Sequence, residues 1–120
     1  MFTVRQLMQE KGDIGTYSIA PQATVYEALM LMADKNVGAI AVVDRGQMVG
    51  IFTERDYARK IVLKGKTSLE TPLKDIMTSE TITVLPETTL EECMALMTEW
   101  HIRHLPIMAD GRLVGMVSMR

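Results

Sequence analysis

The sequence predicts a mixed α/β (α+β) fold built twice: two β-α-β-β-α repeats packed face to face with pseudo-twofold symmetry, the second repeat lacking its last helix. Three observations carry this. First, "APQATVYEALMLMADKNVGAIAVVDRGQMVGIFTER" (Ala20 to Arg55) aligns without a gap on "LPETTLEECMALMTEWHIRHLPIMADGRLVGMVSMR" (Leu85 to Arg120), at a constant offset of 65 residues. Pro21/Pro86, Thr24/Thr89, Glu27/Glu92, Leu31/Leu96, Gly46/Gly111, Gly50/Gly115 and Arg55/Arg120 are identical pairs, and such self-similarity marks a repeated structural unit. Second, each copy passes from a helical spacing of apolar residues to two β-prone runs. Third, 120 residues at 48% hydrophobic and 23% charged suit one small globular body, in which neither copy can bury its sheet alone.

Taken in order, each copy begins with a short helical lead-in, "VRQLM" or "LKDIM", here at an offset of 69 because the first copy carries extra residues in "QEKGDIGTYS". "TYSI" and "TITV" are brief β-prone runs that stop at or just before Pro21 and Pro86. Thr24-x-x-Glu27 and Thr89-x-x-Glu92 are capping boxes. They open helices whose apolar residues fall on one face, Val25, Ala28, Leu29, Met32 and Leu90, Cys93, Met94, Met97, ending near Val37 and Ile102. "AIAVVD" and "HLPIMAD" read as buried strands, Arg45-Gly46 and Asp110-Gly111 as tight turns, and "QMVGIFT" and "RLVGMVS" as return strands. A second helix, roughly Glu54 to Leu63, closes the first copy, and the polar "KGKTSLET" follows. The organisation expected is repeat one at 1–65, linker at 66–72 and truncated repeat two at 73–120.

Composition excludes several classes. A net charge of -2 with no long basic run gives no footprint for a nucleic acid. The longest apolar stretches fall far short of the roughly 20 residues that span a bilayer. The single Cys93 excludes an internal disulfide, and the opening "MFTVRQLMQEKGD" lacks a signal-peptide core, so a cytoplasmic location is expected. No nucleophile–base pair, metal-ligand spacing or phosphate-binding glycine loop stands out, and an enzyme is not expected.

Two short stretches could carry chemistry. In "GIFTERDY", Thr53 and Asp56 stand three apart. One reading is a capping box, with Thr53 and Asp56 satisfying free backbone N–H groups. The other is a ligand contact, since a carboxylate only accepts hydrogen bonds and can take one from each of two adjacent hydroxyls. In "HIRHLP", Arg103 and His104 stand where the first copy has Gly38 and Ala39. They could meet a helix C-terminus as solvated cations, or offer a planar fork and a titratable donor to a phosphate. His101 and His104 lack a further metal ligand, so no metal is expected. The 11 Met read as core filler and Cys93 as a buried inert thiol.

The repeat, the "G-x-(hydrophobic)2-G-x-x-(Thr/Ser)" pattern in both copies and "GIFTERD" in the first resemble a tandem pair of cystathionine-β-synthase (CBS) domains, the Bateman module, of the free-standing type. The resemblance covers essentially the whole chain. It implies a regulatory module that senses adenine nucleotides of the AMP, ATP or NAD class, AMP foremost, through one composite site. Thr53 and Asp56, with Arg55 between them, would meet ribose and phosphate; Arg103 and His104 would face the phosphate; Ser18, Ile19, Val37 and Ile40 would border the base. A second site at Ser118, Gly38 and Ala39 is expected to be weak, because no carboxylate stands three residues past Ser118 in this sequence. The resemblance also implies a homodimer through the helices Thr24–Lys35 and Thr89–Trp100, whose apolar surface exceeds what two small sheets cover. The alternative is a dimerising interaction module that modulates a partner protein without a small molecule.

Overall fold

The structure is a computed structural model that describes residues 1–12 and 17–119. In chain order its elements are α1 (Val4–Lys11), β1 (Ser18–Ile19), α2 (Val25–Lys35), β2 (Ala39–Asp44), β3 (Gln47–Thr53), α3 (Glu54–Asp56), a π-helical turn (Tyr57–Val62), a 3-10 turn (Leu73–Asp75), α4 (Leu90–Trp100), β4 (His104–Ala109) and β5 (Arg112–Ser118). They form two compact units, Tyr17–Thr81 and the discontinuous Met1–Thr16 with Ile82–Arg120. The mixed α/β class expected from the sequence is the one observed. No helix among the described residues is long and apolar enough to cross a membrane.

In the unit Tyr17–Thr81, β1 lies parallel to β2 and β3 runs antiparallel to β2. Thr16, placed by sequence in the first β-prone run, lies outside the described residues. The turn between β2 and β3 puts both Arg45 and Gly46 at positive φ, 52° and 78°, which matches the twist of a two-residue hairpin. On this sheet α2 buries Val25, Ala28 and Met32 against Ile40, Val42 and Phe52, and Ile61, Leu73 and Ile76 complete the core. Leu73 comes from the lead-in of the second repeat, held by hydrogen bonds from the Leu73 N–H to Ala23 O (2.8 Å) and the Lys74 N–H to Pro21 O (3.0 Å).

The other unit repeats the plan. β4 and β5 form a hairpin with Asp110 and Gly111 at φ 52° and 76°. The "TITV" run contributes one residue rather than a strand: Val84 bridges Ile107 in parallel, donating to Pro106 O and accepting from the Met108 N–H. Pro106 fits inside β4 because it acts there only as an acceptor. The core gathers Val84, Cys93, Met97, Leu105, Ile107 and Val117 around Val4 of α1. The N–H groups of Val4 and Arg5 donate to Thr88 O and Pro86 O, both at 2.8 Å, and the Arg5 guanidinium meets Glu87 at 2.9 Å. The lead-in of each repeat is thus packed into the core of the other's unit, Val4 and Leu73 both fully buried at matching positions of the echo.

Both capping boxes are present. The Thr24 and Thr89 hydroxyls accept from the N–H groups of Glu27 and Glu92 (3.1 Å each), while those carboxylates accept from the threonine N–H groups (2.9 Å each). These bonds hold both glutamates below the usual carboxylate range. The helices stop at Lys35 and Trp100, two residues before the expected ends, because Asn36 and His101 turn left-handed, both at φ 54°.

Candidate ligand site

The segment after β3 differs from the single helix expected. α3 lasts one turn and continues as a π-helical turn, the Leu63 N–H reaching back five residues to Ala58 O at 3.0 Å. Such widened turns are uncommon and often lie at functional sites. Thr53 caps α3: its hydroxyl accepts from the Asp56 N–H at 3.2 Å, and Asp56 Oδ2 accepts from the Thr53 N–H (3.0 Å) and hydroxyl (3.1 Å). Capping is therefore present whether or not a ligand contact exists.

Asp56 is also buried, at 7% exposure. Such a carboxylate must be paired, and Oδ1 is met by Lys60 Nζ at 3.0 Å and by the Thr78 hydroxyl at 3.1 Å. Lys60 Nζ donates further to Ile76 O (3.0 Å) and lies 3.4 Å from the Thr78 hydroxyl. Thr78 in turn exchanges both backbone bonds with Ile51 of β3, at 2.9 Å each. Glycine is required beside this bridge, since a Cβ on Gly50 would come within 2.8 Å of Met77 Sδ and 2.9 Å of Thr78 O. Lys60 was legible as an i+4 partner of Asp56. Thr78, 22 residues further on, carries no sequence signal.

The end of the first hairpin gathers most of the first-repeat residues. Ala39 pairs with Thr53 across the strands, and Gly38 O accepts from the Glu54 N–H at 3.1 Å. Arg55 is exposed. Ser18 is exposed and Ile19 half-buried on β1, opposite Ala41 and Val42. Val37 packs at the edge of the core, whereas Ile40, expected beside a base, lies wholly inside it at 0% exposure. In the other unit His104 pairs with Ser118, and Arg103 O accepts from the Met119 N–H at 3.0 Å, the counterpart of the Gly38–Glu54 bond. Arg103 and Ser118 are exposed and His104 half-buried. Cys93 is buried with its thiol pushed up, chiefly by desolvation, as an inert core thiol should be. Among the described residues no three His, Cys, Asp or Glu side chains cluster as a metal site would need.

Comparison with known proteins agrees with this architecture. The model of the CBS domain matches residues 4–63 and 73–120. Over 125 aligned residues the chain is 43% identical to the mitochondrial CBS domain-containing protein CBSX3 of Arabidopsis thaliana, covering 98% of this chain and 61% of that protein. It is 37% identical to the CBS domain-containing protein YhcV of Bacillus subtilis, covering 85% and 72% of the two chains. A CBS domain protein from Pyrobaculum aerophilum, solved as a complex with AMP, superposes with a TM-score of 0.83 at 26% identity, over 98% of this chain and 87% of that one. The chain spans about three fifths of the plant relative's length. Two matched segments, two hairpins of one design and relatives of that kind lead to one assignment: the chain belongs to the CBS domain family, carrying two copies of the domain in tandem.

Proposed function

We propose that the chain is a regulatory module rather than a catalyst, sensing an adenine nucleotide of the AMP, ATP or NAD class, AMP foremost. Thr53 and Asp56 of the first repeat serve the ribose, with Arg55 beside them, and Arg103 and His104 of the second serve the phosphate. One observation carries this reading. At positions that otherwise match, Arg103 and His104 of the second repeat replace Gly38 and Ala39 of the first, so the second hairpin opens with cations where the first has none, while the first runs into the buried carboxylate of Asp56. The AMP complex of the Pyrobaculum relative supports the ligand class. The base is assigned to the neighbourhood of Ser18, Ile19 and Val37. Calorimetry with AMP is expected to return about one nucleotide per chain. Asp56→Ala and Arg103→Ala are each expected to weaken that event by roughly one to two decades, the worth of a charged hydrogen bond. Two equal events per chain, or sensitivity to Asp56→Ala alone, would overturn the shared site.

A second reading, a homodimeric interaction module acting without a ligand, is favoured by the apolar side chains left outside the cores of α2 and α4. Tyr26 and Met30 on α2 are 44% and 52% exposed, and Met94 and Trp100 on α4 are 55% and 53% exposed. Helix faces of this kind mark interfaces. Light scattering is expected to give a dimer with or without AMP, and a monomer at every concentration would remove this reading.

A further inference from the structure

We infer that Thr78 and Lys60 lock the Asp56 carboxylate, and that a ribose diol enters by displacing them from Oδ1, untying Thr78 from the helical segment that follows β3. The inference rests on the nucleotide reading above and adds how the protein registers the ligand.

A carboxylate offers roughly four lone-pair positions, and here every one is in use. Oδ2 takes the Thr53 N–H and hydroxyl; Oδ1 takes the Thr78 hydroxyl and Lys60 Nζ. A diol therefore cannot simply add to Asp56. It must replace two donors, and the two oxygens are unequal in this respect. Releasing Oδ2 breaks the cap of α3 and takes the partner from a half-buried backbone N–H, a cost that releasing Oδ1 does not carry. Releasing Oδ1 leaves every backbone N–H of the α3 cap paired. Lys60 has 40% of its side chain exposed and already donates to Ile76 O at 3.0 Å, while the Thr78 hydroxyl rotates freely about its own C–O bond. Oδ1 is the exchangeable oxygen.

The consequence reaches the backbone through Thr78. Its segment is joined to β3 by an isolated bridge to Ile51, packed against Gly50. The Thr78 hydroxyl is the side-chain tie between that bridge and α3. Once a diol takes Oδ1, the bridge loses this tie and opens more often, so occupancy becomes a change in the segment that leads into the second repeat.

The test titrates AMP calorimetrically into the wild-type chain, Thr78→Val, Thr78→Ser and Asp56→Ala, with thermal unfolding as the control for folding. Thr78→Val keeps the shape and removes the competing donor, so AMP is expected to bind roughly two- to tenfold tighter, the worth of one neutral hydrogen bond. Thr78→Ser restores the hydroxyl and the wild-type affinity. Saturating AMP is expected to speed hydrogen exchange at the Thr78 and Ile51 amides of the wild type. Should valine not be accommodated, Thr78→Ala, which only removes atoms, has the same expected outcome. Wild-type binding that Asp56→Ala weakens but Thr78→Val leaves unchanged or also weakens overturns the lock and spares the nucleotide reading. No AMP binding by the wild type, or binding indifferent to Asp56→Ala, overturns both.

Discussion

The two hairpins are nearly the same object, and what surrounds their ends is not. β2 and β3 pair from Ala39↔Thr53 to Asp44↔Gln47 with an irregularity at Val42/Val43. β4 and β5 pair from His104↔Ser118 to Ala109↔Arg112 with the same irregularity at Ile107/Met108. The left-handed turn residues and the capping boxes also correspond. Yet the first hairpin runs into a buried carboxylate tied to a lysine and a threonine, while the second opens with an arginine and a histidine. Strand register depends on alternation and turn geometry, which Gly38 and Arg103 serve equally through one backbone carbonyl. Hairpin ends can therefore change charge without disturbing the scaffold, and that freedom lets a duplicated fold hold dissimilar chemistry.

The largest effect should come where the repeats are most alike. Ile40 and Leu105 occupy the same position in the two cores, both at 0% exposure. Ile40→Ala and Leu105→Ala are each expected to cost roughly 2–5 kcal/mol in denaturant unfolding. A loss below that range at only one of them would break the equivalence of the cores. A smaller loss, about 1–3 kcal/mol, is expected for Gly50→Ala, whose added methyl must push Met77 and Thr78 aside. Amide exchange should show the damage centred on the Ile51–Thr78 bridge, and protection there equal to wild type would contradict the close approach.

The smallest effect concerns acid. Glu27 and Glu92 have folded-state values below their ordinary 4.5, so the stability they add is present above that value and is lost as pH falls through the lowered ones. The cap of α1 makes the control, because its box uses Gln6, which takes up no proton. Glu27→Gln combined with Glu92→Gln should keep both caps and flatten this part of the decline in Tm between roughly pH 5 and pH 3. An unchanged slope would show that these boxes do not carry it.

How much of this was legible in the sequence follows the range of the interactions. Hairpins and capping boxes are fixed within a few residues, and the strands Gln47–Thr53 and Arg112–Ser118 appear with the boundaries that their alternation implies. The exchange of lead-ins was not legible. "VRQLM" and "LKDIM" each present an apolar residue, Val4 or Leu73, to a core from the same position, and nothing local says which core receives it. The π-helical turn was missed because Tyr57–Val62 contains neither Gly nor Pro to announce a departure. For the candidate site, Thr53 and Asp56 were visible as a spaced pair, whereas Thr78 became their neighbour only through a bridge to β3 that spans the linker.

The exchange of lead-ins also orders events in time. Tyr17–Thr81 is continuous in the chain and can close as soon as it leaves the ribosome, whereas α1 finds Pro86 and Thr88 only after some 70 further residues have been made. Until then Val4 has no core to enter, and the helix must wait as a short, marginally stable segment of 8 residues. One half of the molecule is thus expected to fold early in synthesis and the other later, with the contact between distant segments setting the slower rate.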